Sequence, residues 1–184
     1  MRKSIAVLFA VAAIGGSTAA IASASNNSNQ ARAAGSTPQG GALQIFGTET
    51  SPLDTELLFT GAVGDHGSAV TLNMAGKPDP HGTIEKVTLQ KGSFVIDTTP
   101  LGTKLGKMKP TVNSETCTIL LAATGPTKVE EGTGLYAGIS GHLNIRFTVA
   151  TLQPRAKNGK CALTAKPVSQ YTAIIGSGSV TFSG

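Results

Sequence analysis

Between residues 141 and 152, Leu143, Ile145, Phe147 and Val149 alternate with His142, Asn144, Arg146 and Thr148. A period of two sends the two sets to opposite faces of a pleated strand and leaves one face to be buried. Short runs of Val, Ile, Leu, Thr and Phe predict further strands over 43–46, 56–62, 68–74, 82–89, 92–98, 115–123, 127–131 and 168–182, the last broken near Gly176. Gly64-Asp65, Pro78-Asp79-Pro80, Lys91-Gly92, Gly125-Pro126 and Asn158-Gly159 supply the turns between them. No segment of this region sustains a helical period. Eight or so strands at this spacing predict one all-β domain, an antiparallel, approximately eight-stranded closed β-barrel. Gly61, Gly76, Gly138, Gly141, Gly176 and Gly178 are placed where strands of a closed sheet bulge or turn corners.

The pattern begins only at Leu43, so the 184 residues divide into 1–24, 25–42 and 43–184. Arg2 and Lys3, the apolar run from Ile5 to Ile14 and Ala22-Ser23-Ala24 read as the three parts of a secretory signal peptide, with the mature chain starting near Ser25. Gly15, Gly16, Ser17 and Thr18 interrupt the apolar run, which is too short to be retained as a membrane span. Residues 25–42, SNNSNQARAAGSTPQGGA, have almost no large apolar side chain and read as a disordered polar linker. The expected location is therefore secreted or extracellular.

Charge narrows the partners. The chain carries 15 Lys plus Arg against 10 Asp plus Glu, and loss of Arg2 and Lys3 lowers the net charge from +5 to +3. Apart from Lys104, Lys107 and Lys109 in one expected loop and Arg155, Lys157 and Lys160 in another, the basic residues are scattered. With no Trp and few aromatics, the sequence lacks the basic stripe with stacking rings that nucleic acid requires, and no nucleic-acid partner is expected. Two cysteines remain after export, Cys117 and Cys161, and an oxidising compartment makes one intramolecular disulfide the default, with free thiols or an intermolecular bridge as the alternatives.

Gly132-Thr133-Gly134-Leu135-Tyr136-Ala137-Gly138-Ile139-Ser140-Gly141 is the most distinctive stretch. Its glycines permit positive φ or close strand approach, and the aromatic that follows can plug a barrel end. With Gly132, Thr133, Gly134, Tyr136 and Gly141 it resembles the G-T-G-x-aromatic-x-x-x-x-G signature of the dirigent and allene oxide cyclase-like family. That resemblance implies an eight-stranded antiparallel barrel with an apolar interior cavity, and a role for these five residues in the architecture. Plant dirigent proteins usually carry Ala-Arg before the last glycine, whereas this chain has Ile139-Ser140, and none of the family's polar cavity positions is matched by motif.

Candidate chemistry is sparse. His66, His81 and His142 have no metal-ligand spacing, and neither a metal nor a cofactor is expected. Asp65-His66 and Asp79-Pro80-His81 can be read as Asp–His dyads for general acid or base work, or as ordinary turn compositions. Asp97 and Arg146 are further polar candidates within strands, Arg146 on the polar face. Glu130 and Glu131 are adjacent along a strand and point to opposite faces, so they cannot share a proton in one cavity. No Gly-x-Ser-x-Gly nucleophile motif is present in the mature chain. The expected function is binding of a small apolar ligand or an extracellular component. An enzyme of the dirigent or allene oxide cyclase type, guiding a reactive intermediate in the cavity, is one alternative, and a structural component of the cell envelope is another.

Overall fold

The computed structural model describes residues 39–183, so the expected signal peptide and linker residues 25–38 lie outside the described residues. Nine strands follow in order: β1 (Gly41–Glu49), β2 (Asp54–Gly61), β3 (Asp65–Leu72), β4 (Ile84–Leu89), β5 (Gly92–Asp97), β6 (Thr111–Asn113), β7 (Thr118–Glu130), β8 (Ile139–Leu152) and β9 (Ser169–Phe182). They form one antiparallel sheet in the order β5-β4-β3-β2-β1-β9-β8-β7-β6, and pairing of β5 with β7 closes eight of them into a barrel. β6 stands outside the closure, paired only to β7 among the described residues. Closure removes the exposed strand edges that an open sheet of this size would leave for aggregation.

The alternation read from sequence is the inside–outside alternation of the barrel. Leu143 and Ile145 of β8, Leu43 and Ile45 of β1, Leu57 and Phe59 of β2, Val87 and Leu89 of β4, and Phe94 and Ile96 of β5 are all buried. They form one continuous core with Ala69, Val129, Tyr136 and Val180. At about 25 cal/mol per Å² of apolar surface removed from water, each such large side chain contributes about 1.5–3 kcal/mol.

Four features depart from the pattern reading. The expected turn at Gly125-Pro126 lies inside β7, which runs unbroken where two strands were expected. β5 pairs with β7 only from Lys128 to Glu130, so Pro126 falls where one edge of β7 has no strand partner, a place that tolerates a residue without an N–H. That uncovered edge is sealed by a helix, α1 (Thr99–Lys107), whose Leu101 is buried. A Cβ on Gly125 would sit 3.2–3.3 Å from Leu101 atoms, so glycine is what lets the helix approach. Two of its nine residues are glycine, too low a propensity to announce a helix; Pro100 near its start and Lys104 and Lys107 in its last turn are its local signals.

The break expected near Gly176 is likewise absent, because β9 is continuous through Gly176, Ser177, Gly178 and Ser179. Here the glycines thin the strand. A Cβ on Gly178 would lie 2.1 Å from the His142 carbonyl, and one on Gly176 within 2.9 Å of both Ile45 and Ile145. Finally, β1 begins two residues before the predicted domain start at Leu43.

β7, β8 and β9 are 13–14 residues long and outrun the rest of the barrel. A Cys117–Cys161 disulfide ties the β8–β9 connection to the start of β7. Arg155 braces the same region, donating to the carbonyls of Glu115 and Gly159. No helix among the described residues is long and apolar enough to cross a membrane.

Candidate functional site

The two ends of the barrel differ. One is closed by the glycine-rich segment, whose residues Gly134–Tyr136 form a 3-10 turn. Gly134 has φ +61 and packs against the β4–β5 turn, where a Cβ would come within 2.5 Å of the Lys91 carbonyl. Thr133 is held to the start of β5, its hydroxyl lying 2.7 Å from that of Ser93. This anchoring drives Tyr136 into the barrel, where it is 1 % exposed. Its ring meets Phe94 edge-on at 5.5 Å, and Phe94 meets Phe59 edge-on at 5.4 Å. The three rings fill the bore in the T-shaped geometry that aromatic quadrupoles favour.

Asp65, the first residue of β3, satisfies the Tyr136 hydroxyl, accepting its hydrogen bond at 2.6 Å. The same carboxylate accepts the backbone N–H groups of His66 at 2.8 Å and Lys91 at 3.1 Å. Burial pushes the Asp65 carboxyl up, but these three donors and the Lys91 charge outweigh it and hold it below the ordinary carboxylate value. The Tyr136 phenol moves the other way, raised by burial and by donating to a carboxylate. A tyrosine so held keeps its proton, and this end is a structural plug.

The opposite end is open. Thr71 lies six residues along β3 from Asp65, about 20 Å at the rise of a strand. Around it, Ile45, Leu57, Ala69, Ile96, Ile145 and Ile174 enclose a cavity of about 70 Å³, with Glu49 and Glu85 at its polar edge. Glu49 also lines a wider outer cleft of about 430 Å³ between the β1–β2 turn, His81 and the Gln170–Thr172 stretch of β9. Glu49 is common to both linings, so the outer cleft and the small apolar chamber adjoin at that residue.

Both carboxylates occupy inward positions of their strands, Glu85 in register with the buried Ile96 and Glu49 two residues beyond the inward Gly47. The Thr71 hydroxyl contacts both Glu85 oxygens at 3.1 and 3.3 Å, and the Thr172 hydroxyl donates to Glu49 at 2.9 Å. Burial, and the nearby Glu49 charge after it, raise the Glu85 carboxyl above its ordinary value, although the Thr71 hydrogen bond opposes them. Among the described residues, neither carboxylate has a Lys, Arg or His within ion-pair distance.

The sequence-derived candidates are dispersed. Asp65 turns inward to Tyr136, whereas the His66 side chain is 70 % exposed, its Nδ1 standing 4.0 Å from the Asp65 Oδ1. Asp79 uses its carboxylate to accept the His81 backbone N–H at 2.9 Å, an Asx-type turn; His81 itself borders the outer cleft. Asp97 accepts the Thr99 N–H at 2.8 Å and so organises the entry to α1. Arg146 is on the outer face of β8, in register with the exposed Ile175. Gly141 lies opposite Val180, where a Cβ would fall 2.3 Å from the Ser179 carbonyl. Glu130 pairs with Lys128 on the outside, and Glu131 leaves the strand with φ +57. Glu49 and Glu85 were missed because each is an isolated carboxylate in an otherwise ordinary strand. The available signal was parity, since Glu85 shares the inward set of Val87 and Leu89.

No group of three or more His, Cys, Asp or Glu side chains that could hold a metal occurs among the described residues. Comparison of the chain with family models, with curated proteins and with solved structures gives no match.

Proposed function

We propose that this chain is an exported barrel that binds a small, largely apolar ligand through its open end. The observation that carries the reading is the apolar chamber at the end opposite the aromatic plug, which adjoins the outer cleft at Glu49. A concave, mostly apolar site with a few convergent polar groups is the usual form of a small-molecule site. Its volume sets the scale of what enters. A cavity of roughly 150 Å³ takes up benzene, so about 70 Å³ admits a short aliphatic group and leaves the rest of a ligand in the cleft. The signal-like N-terminus and the Cys117–Cys161 disulfide support an extracellular setting.

Xenon is a suitable first probe because it enters small dry cavities without needing polar partners. Under xenon pressure, the methyl resonances of Ile45, Ile96, Ile145 and Ile174 shift together and saturably, while those of the plugged end stay in place. Unmoved methyls show a chamber that admits nothing and reject the reading.

A second reading, an enzyme of the dirigent or allene oxide cyclase type, is favoured by one observation, the inward carboxyl of Glu85 beside the chamber. Chromatography and mass analysis of material carried by the native protein and by Glu85→Gln separates the two readings. A binder carries the same compound in both, and a catalyst leaves unconverted substrate on the variant.

A further inference from the structure

The chamber and its edge together define the chemistry of what enters, on the premise that the open end is a binding site. Its walls offer only aliphatic and phenyl surface beyond the threonines and the two glutamates. The polar groups of the lining are Glu49, Glu85, Thr55 and Thr71. Each glutamate receives a threonine hydroxyl, yet a carboxylate presents about four acceptor positions, so most of their capacity is unused. Their charge also has no basic partner within ion-pair distance among the described residues.

Three kinds of head group can follow a short alkyl chain into such a place. A carboxylate meets two like charges in a partly dehydrated setting and is repelled. A hydroxyl satisfies an acceptor and leaves the charge as it was. An ammonium supplies three donors and the missing positive charge at once. We propose that the open end selects a small aliphatic amine, its alkyl group in the chamber among Ile45, Ile96, Ile145 and Ile174 and its ammonium between Glu49 and Glu85.

The other groups facing this position fit the assignment. Thr55, Thr71 and Thr172 are neutral, and His81 stands at the outer margin of the cleft. Glu49 and Glu85 line the same chamber, so a cation placed between them meets both charges. The chamber is too small for a benzene-sized ring, which separates this class from aromatic amines.

The test is titration of the folded protein at pH 7.5 and constant ionic strength with n-butylamine, n-butanol and n-butyrate, followed through the four isoleucine methyls. Butylamine is expected to bind at least tenfold more tightly than butanol, with butyrate weakest. In the double variant Glu49→Gln, Glu85→Gln, checked for folding by its melting curve, the amine-to-alcohol ratio falls to within about threefold of one, because glutamine keeps the shape and loses the charge. Equal binding of amine and alcohol by the native protein overturns the amine assignment. So does binding of none of the three while xenon still shifts the same methyls. Failure of xenon as well overturns the binding reading on which the assignment rests.

Discussion

The Tyr136 hydroxyl donates a 2.6 Å hydrogen bond to the Asp65 carboxylate, joining residues 71 apart in sequence at the closed end of the barrel. One belongs to the glycine-rich turn and the other begins β3, so the bond fixes the plug to the wall it closes. Removing the hydroxyl alone measures what that fixing contributes. Tyr136→Phe keeps the ring against Phe94 and deletes a hydrogen bond to a charged group, so it is expected to cost about 1.5–3 kcal/mol in denaturant unfolding. Tyr136→Ala adds an aromatic-sized cavity and costs about 3–5 kcal/mol. A Tyr136→Phe variant as stable as the native protein contradicts this account of the plug.

The same pair makes stability depend on acid. The Asp65 carboxyl lies below its ordinary value of 3.8 in the folded protein, so the unfolded chain takes up the proton first as pH falls. The stabilisation is thus complete above the unfolded value and is lost as pH drops through the lower folded value. Melting temperatures from pH 7 down to pH 2 should fall in that acid range, and Asp65→Asn should flatten this part of the profile.

Glu85 has the opposite sign. Its carboxyl is raised above 4.5 by burial and by Glu49, so ionising it at neutral pH opposes folding. Glu85→Gln is therefore expected to melt higher than the native protein at pH 7. The difference should shrink as pH falls through the raised value, where the native carboxyl takes its proton. A site kept at a cost in stability is the common pattern for functional groups. A variant that melts lower at pH 7 shows that Glu85 is there for the fold.

Gly134 and Gly76 separate conformational strain from crowding. Both have positive φ, +61 and +73, but a Cβ on Gly134 meets the Lys91 carbonyl at 2.5 Å, while one on Gly76 meets nothing within 4 Å. Alanine at either position incurs about 1–2 kcal/mol for the left-handed backbone. Gly134→Ala should cost about 1–3 kcal/mol more, because the plug or the β4–β5 turn must shift. Paired urea titrations give the difference directly.

The disulfide closes 44 residues of chain between the start of β7 and the β8–β9 connection. In the chain-entropy model a loop of that size contributes roughly 4 kcal/mol, a large share of the 5–15 kcal/mol typical of a domain. The double variant Cys117→Ala, Cys161→Ala is expected to lose about that much, and the intact mass of the native protein should rise by two hydrogen atoms on reduction.

The class of the fold and most of its strands are written in the order of residues, because a half-buried strand announces itself in a period of two that needs no partner to be read, as in Leu143, Ile145 and Phe147. The same order names the two cysteines that pair, since the chain contains no others. Where local signals conflicted with long-range packing, packing won. Gly125-Pro126 has turn chemistry, yet it lies within β7 because α1 needs the missing Cβ and the strand edge there needs no donor. Which inward residues share a layer is set by strand order and stagger, and both are properties of the closed sheet. Glu49 and Glu85 belong to β1 and β4, two strands that do not pair, and no spacing between them carries a signal. Closure of the barrel carries both to its open end, just as it carries Asp65 to Tyr136 at the other.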